Sequence, residues 1–257
     1  MKVVILAGGF GTRISEESHL KPKPMINIGD KPIIWQIMKI YAHYGYNDFI
    51  ICAGYKAHVI KEYFYNYYIN NSDLTVDLSD NSIKVHSSCE ENFKVTIVDT
   101  GLNTKTAGRI KRIEKYVDSD NFFLTYGDGV ADINLEDLKS FHLAHNKIAT
   151  LTAIQPEGRF GVIDFKKNGQ VHNFKEKPIG DGGWINGGFF VFKKAIFKYL
   201  REDSDDIMLE EKPLLELTHD GELVAFQHTG FWRAMDAMRD KIELEKLWKE
   251  GPKWKIW

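Results

Sequence analysis

The chain reads as an α/β protein: a doubly wound, mostly parallel sheet that carries a smaller β-rich elaboration. Short apolar runs alternate with segments of helical period from residue 2 to about residue 154, the rhythm that builds parallel βαβ units. The first run, residues 2–7, is apolar at every position from Val3 onward and empties into Gly8-Gly9-Phe10-Gly11. A strand buried on both faces looks like this where it ends at the ligand edge of such a sheet. With 43% hydrophobic and 27% charged residues among 257, the chain can close a core without disulfide or zinc.

After the glycine loop, Pro32 opens a helix whose apolar positions Ile33, Ile34, Ile37, Met38 and Tyr41 share one face, and Gly45 ends it. Residues 49–52 form the next strand. A helix follows in which the doublets Val59-Ile60, Tyr63-Phe64 and Tyr67-Tyr68 recur every four residues. Residues 71–93 lose the rhythm and predict an excursion or hairpin outside the main sheet. Strands at 95–98, 122–126 and 150–154 then alternate with helices at 109–117 and 135–145. Beyond 155 the pieces shorten to β-like segments at 161–165, 171–175 and 188–192, ahead of helices near 211–218 and 239–248. No Pro/Gly/Ser linker, repeat or low-complexity stretch divides the chain, so a single domain over 1–257 is expected.

Composition narrows the function classes. Lys plus Arg number 34 against 36 acids, a formal net charge of -2, so no basic field exists to hold nucleic acid and any phosphate must be held locally. The two cysteines, Cys52 and Cys89, make neither a disulfide framework nor a metal knuckle, which suits a reducing compartment. The apolar run at 3–7 is too short for a secretory core or for the ~18 residues of a membrane span, so a cytoplasmic location is expected. Aromatics reach 13%, with six tryptophans; Trp248, Trp254 and Trp257 suggest a tail that docks on something, such as a neighbouring subunit.

The chemistry gathers in a few motifs. Gly8-Gly9-Phe10-Gly11-Thr12-Arg13 places three glycines where a strand ends, and a backbone without Cβ atoms can close around phosphate oxygens. It is not a Walker loop, which ends Gly-Lys-Ser/Thr, nor a dinucleotide fingerprint, which needs a third glycine where Ile14 stands. Arg13 and the proline-pinned lysines of Lys21-Pro22-Lys23-Pro24 supply cations suited to a triphosphate. Tyr126-Gly127-Asp128-Gly129 sets an acid at a strand's carboxyl end, a hard oxygen ligand of the kind Mg²⁺ takes. Asp236, in Gly230-Phe231-Trp232-Arg233-Ala234-Met235-Asp236, is a second. Each acid has a plainer alternative as the cap of the helix that follows, and Thr106 has one as an ordinary N-cap. His142 and His145 could share a metal, but no third nitrogen or sulfur clusters with them, so they read as surface or packing residues.

The order of these motifs, together with Glu176-Lys177-Pro178 and Asn186-Gly187-Gly188, resembles the sugar-1-phosphate nucleotidyltransferases along the whole chain. Within them, Lys23-Pro24-Met25, the run from Tyr126 to Asp132, Gly158-Arg159-Phe160-Gly161 and Gly230-Phe231-Trp232 with Met235-Asp236 look most like the branch that joins CTP to glucose 1-phosphate. The resemblance implies in-line attack of the sugar phosphate on the α-phosphorus, giving CDP-glucose and pyrophosphate for bacterial surface polysaccharide. It implies Arg13 and Lys23 as the catalytic cations, and Asp128 and Asp236 as ligands of Mg²⁺. Leu6, Ala7, Gly8, Gly9, Gly11, Thr12, Thr106, Gly108, Arg109 and Gly127 would bind the nucleotide, and Glu176, Lys177, Asn186 and Gly187 the sugar phosphate. Residues 1–154 would then serve mainly the nucleotide and 155–257 mainly the sugar and the contacts of a homo-oligomer, a hexamer by the same resemblance. The alternatives are a relative using dTTP or UTP, and a regulatory subunit that binds nucleotide without turnover, although such a subunit would be expected to lose the reactive cations and acids. A nucleotide-sugar glycosyltransferase usually carries Asp-X-Asp, whereas Asp128 is followed by Gly129-Val130.

Overall fold

The computed structural model describes residues 1–87, 91–156, 162–175, 183–201 and 204–257. Among these, seven strands form one sheet: β1 (Val3–Ala7), β2 (Asp48–Ala53), β3 (Lys94–Asp99), β4 (Asn121–Tyr126), β5 (Ala149–Ile154), β6 (Ile185–Lys193) and β7 (Leu223–His228). Their spatial order is β7-β5-β6-β4-β1-β2-β3. β6 runs antiparallel to β4 and β5, and the other neighbours are parallel. The fold is the mostly parallel α/β sheet expected from the alternation.

The chain steps from β1 to β2 to β3 on one side and then crosses to β4 on the other. Strand order therefore reverses at β1, and a crevice opens beyond the carboxyl ends of β1 and β4, where open α/β sheets take their ligands. Leu6 pairs with Tyr126 in register, so the loops at Gly8 and Gly127 leave the sheet side by side. β1 is buried at every position, and alternation splits its side chains between two cores. Val3, Ile5 and Ala7 meet residues of the helix Ile33–His43 in one cluster. Val4 and Leu6 join the helices Thr106–Arg112 and Lys212–His219 in the other.

Some elements differ from the expectation. The helix set at 109–117 begins at Thr106 and stops at Arg112, with a single 3-10 turn over Glu114–Tyr116. Its entry is set by tertiary partners, since Asp205 and Ile207 carbonyls accept from the Lys105 and Ala107 amides at 2.7 and 3.1 Å. The segment at 188–192 is the middle of β6, a nine-residue strand of the main sheet. β7 was not foreseen: it lies at the sheet edge, none of its residues is fully buried, and its apolar pattern is correspondingly weak. The excursion after residue 71 is a hairpin, Leu74–Asp77 against Ser82–Val85. Among the described residues, no helix is long and apolar enough to cross a membrane.

The tryptophan tail docks on its own chain. Trp254 is fully buried, donates its indole N–H to Gln36 Oε1 at 2.7 Å and stacks on Phe231 with ring centroids 5.4 Å apart. Trp257 packs edge-on against Trp35. Trp254→Ala removes a fully buried ring and leaves Gln36 short of a partner, so it is expected to destabilise the fold by about 3–5 kcal/mol in urea unfolding. A loss below about 1 kcal/mol would mean that the tail is not part of the core.

Candidate active site at the strand crossover

The loop after β1 is shaped by close approach. Gly11 has φ 67°, and a Cβ there would stand 3.1 Å from Ser18 Cβ and 3.2 Å from Lys23 Cβ. The Gly11 carbonyl accepts from the Ile14 amide and the Ser18 hydroxyl, both at 3.0 Å, which closes the turn. Gly8 is buried, and a Cβ on it would collide with the Arg109 guanidinium. Gly9 faces open space, and Thr12 and Arg13 are exposed. One wall of the loop is thus packed while the other is open.

Lys23 sits on a 3-10 turn, Lys23–Met25, entered from Pro22. Its side chain is 12% exposed, and its ammonium donates to Asp128 Oδ2 at 2.6 Å and to Asp236 Oδ1 at 2.9 Å. Arg13 Nη2 stands 3.0 Å from the same Asp236 oxygen. Four charges from four separate segments therefore meet, and two cations balance two carboxylates. A cavity of about 360 Å³ opens beside them, lined by Arg13, Asp236, Ala237, Arg239 and Asp240.

Each aspartate is delivered by backbone. Asp128 follows β4, where the Gly127 amide donates to the Leu6 carbonyl at 2.9 Å; a Cβ on Gly127 would come within 2.8 Å of that oxygen. Asp236 arrives by a short antiparallel ribbon, Gly129–Ala131 against Trp232–Ala234, which the Met235 amide extends with a 2.8 Å bond to the Asp128 carbonyl. The capping alternatives do not hold. The helix Met238–Glu250 is capped by Asp240, whose Oδ2 accepts from the Asp236 and Ala237 amides at 3.1 and 2.9 Å. The helix Leu135–His145 is capped by Asn134. Both Asp128 and Asp236 keep their carboxylates for the cation cluster.

The remaining predicted residues divide. Leu6, Ala7 and Gly127 lie at the loop's root. Arg109 reaches the loop from beneath: buried, it donates to the carbonyls of Gly8, Ala53, Gly101 and Leu102 and to the Thr100 hydroxyl at 2.8–3.3 Å. Its hydrogen bonding thus braces the loop rather than forming a surface ion pair. Gly108 is a packing glycine, with a Cβ position 2.7 Å from Asp205 Cα. Thr106 is the first helical residue and not the cap; its hydroxyl donates to Glu210 Oε2 at 2.9 Å and accepts from the Leu209 amide at 2.7 Å. Asn186 hydrogen-bonds Tyr126, and the Gly187 carbonyl accepts from Trp232 Nε1 at 2.7 Å. Glu176, Lys177 and the motif Gly158-Arg159-Phe160-Gly161 lie outside the described residues, as does Cys89; Cys52 is a buried free thiol.

Sequence reasoning missed Asp240, Glu210 and the Trp232 contact. Asp240 alone had a local signal, an acid at the third position of a helix. The histidine pair is spent on packing contacts, buried His142 on Thr150 and Asn121 and half-buried His145 on Thr150; burial draws His142 down to about 4, so it is neutral. Among the described residues, no group of three or more His, Cys, Asp or Glu side chains gathers as a metal cage.

Burial pushes the Asp236 carboxyl up, but the hydrogen bond and charge of Lys23, followed by Arg13, outweigh it and hold the group below the ordinary carboxylate value. A group depressed in this way binds fewer protons folded than unfolded. Its stabilisation is present above the unfolded value of about 4 and fades as pH falls through the folded one. Asp236→Asn is therefore expected to flatten the acid limb of a stability-versus-pH curve, measured as urea midpoints from about pH 6 to about pH 3. Parallel limbs for wild type and variant would contradict the ion pairs.

Comparison with known proteins identifies the family. The model of the family described as Nucleotidyl transferase matches residues 2–247. The chain is 53% identical to the glucose-1-phosphate cytidylyltransferase of Salmonella typhimurium (strain LT2) and 53% identical to that of Salmonella typhi, with 100% of each chain covered in both cases. In fold it is similar to HddC from Yersinia pseudotuberculosis complexed with GMP-PN, at TM-score 0.67 and 24% identity, with 96% of this chain and 99% of that one covered. On the family match and the full-length identities, the chain belongs to the nucleotidyl transferase family.

Proposed function

We propose that the protein transfers a cytidylyl group from CTP to α-D-glucose 1-phosphate, forming CDP-glucose and pyrophosphate. The observation that carries the reading is the meeting of Lys23, Arg13, Asp128 and Asp236 beside the open wall of the glycine loop. The choice of CTP and glucose 1-phosphate is supported by the full-length identity to the Salmonella enzymes.

In the reaction, a sugar-phosphate oxygen attacks the α-phosphorus, the new P–O bond forms, and the bond to the β-phosphate oxygen breaks to release pyrophosphate. Two anions must be held together against their repulsion, so positioning and charge compensation are the main tasks. Gly8, Gly9 and Gly11 bring backbone close to the triphosphate, and exposed Arg13 neutralises charge that grows on the leaving pyrophosphate. Lys23 bears on the α-phosphate or the incoming sugar phosphate. The roots of the loop at Leu6 and Ala7, with Thr106, face the base; Arg109 holds the peptide that follows, through the Gly8 carbonyl. Asn186 and Gly187 approach the hexose, with Glu176 and Lys177 assigned to its hydroxyls and phosphate by motif alone.

Asp128 and Asp236 suit Mg²⁺. They are hard oxygen donors converging on a point of positive charge, and Mg²⁺ is typically bound by one or two carboxylates plus substrate phosphates. When bound, it would supply Lewis-acid compensation of phosphate charge. The enzyme is assigned to the cytoplasm and to a homo-oligomer on the same family reading.

Initial rates with CTP, UTP, dTTP and GTP at equal concentration test the assignment; CTP is expected to be fastest, and a strong UTP or dTTP preference overturns the nucleotide. Lys23→Ala and Asp236→Ala are each expected to lower kcat by ~10²–10³-fold. Tight CTP binding without pyrophosphate release by the wild type would establish a regulatory subunit instead.

A further inference from the structure

Glu210 lies in the turn before the helix Lys212–His219, outside every motif singled out from the sequence. Its carboxylate accepts from two hydroxyls. One is Thr106 Oγ1 at 2.9 Å, at the start of the helix Thr106–Arg112. The other is the phenol of Tyr126, the last residue of β4. The Tyr126 oxygen in turn accepts from Asn186 Nδ2 at 3.1 Å, and Asn186 Oδ1 accepts from the Gly188 amide at 2.9 Å.

The direction of this chain is fixed at Glu210. A carboxylate offers only acceptors, so both hydroxyls donate to it. Tyr126 has then spent its proton and can only accept from Asn186, which sets the Asn186 amide with its nitrogen toward Tyr126 and its oxygen toward Gly188. Thr106, having donated, accepts from the Leu209 amide. Burial, and after it the charge of Glu210, raise the Tyr126 phenol and keep it protonated. Gly188, at φ 79°, lies so close that a Cβ would collide with the Tyr126 ring, so the phenol has little room to turn away.

We propose that Glu210 is a positioning residue that sets the hydrogen-bond polarity of Asn186 and Thr106, joining the hexose-binding and base-binding sides of the site through one carboxylate. This rests on the roles assigned above to those two residues. In the role assigned to Asn186, its second N–H would then serve a hydroxyl oxygen of the sugar.

The test is steady-state kinetics of wild type, E210Q, Y126F, T106V and the double variant E210Q/Y126F, with KM and kcat taken for each substrate. Glu210→Gln keeps the size of the side chain but replaces one acceptor by a donor. It is expected to raise KM for glucose 1-phosphate about 10-fold, the worth of one hydrogen bond to a charged group, with a smaller change in kcat. Y126F is expected to raise the same KM and leave that for CTP unchanged, whereas T106V raises KM for CTP alone. The double variant is expected to be no worse toward the sugar phosphate than the worse single one, because both act along one path. Additive effects, or an unchanged sugar-phosphate KM in E210Q, would overturn the proposal. Should E210Q fail to fold, the opposite substrate selectivities of Y126F and T106V decide, and equal effects on both substrates would sink it. Turnover by the wild type stands apart from these outcomes: its absence defeats the proposed reaction and this inference with it, while normal wild-type turnover with an unaffected E210Q defeats the inference alone.

Discussion

Two carboxylates held within 2.6 and 2.9 Å of one largely buried ammonium are the constraint on which the site is built. Without Lys23, Asp128 and Asp236 would repel one another in a partly desolvated setting, and the cost of an unpaired buried charge commonly reaches several kcal/mol. With it, and with Arg13 on the outer side of Asp236, the cluster is neutral and can be carried on short, ordered connections. The 3-10 turn at Lys23, the exit of β4 and the ribbon Trp232–Ala234 have no sequence proximity. The charge cluster gives them one meeting point.

The same economy governs the glycine loop. Its open wall is available to a ligand because its other wall is held by a buried arginine that satisfies four carbonyls and a hydroxyl. Arginine suits the position because its fork of donors serves several acceptors at once while staying charged. The burial of Arg109 lowers its proton affinity from the usual guanidinium value, yet the surrounding carbonyls supply the negative ends that an isolated cation would lack. Loop geometry and loop charge are thus set by different residues.

Much of this was legible in the sequence because it was local. The buried run at 3–7, the three glycines, the proline-pinned Lys23 and the strand-terminal Asp128 each declare themselves within a few residues. The parallel alternation to residue 154 carries most of the sheet in the same way. Other features depend on distant partners and left no local trace. β7 is an edge strand with a diluted apolar pattern, and β6 looked like a minor piece because glycines interrupt its first half. Asp236 had the same appearance as a helix cap, and only the three-dimensional reach of Asp240 back to the Asp236 and Ala237 amides separates the two roles. Glu210 belongs to no motif, since its meaning comes from the two hydroxyls that fold against it.

The central claim is that the glycine loop and the two remote aspartates serve one divalent-cation and triphosphate site. Calorimetric titration of CTP into the protein, with and without Mg²⁺, tests it most directly when wild type is compared with the variant carrying both Asp128→Asn and Asp236→Asn. The account predicts that Mg²⁺ tightens CTP binding to the wild type and gives the variant no such gain. An equal Mg²⁺ benefit in both proteins would contradict it.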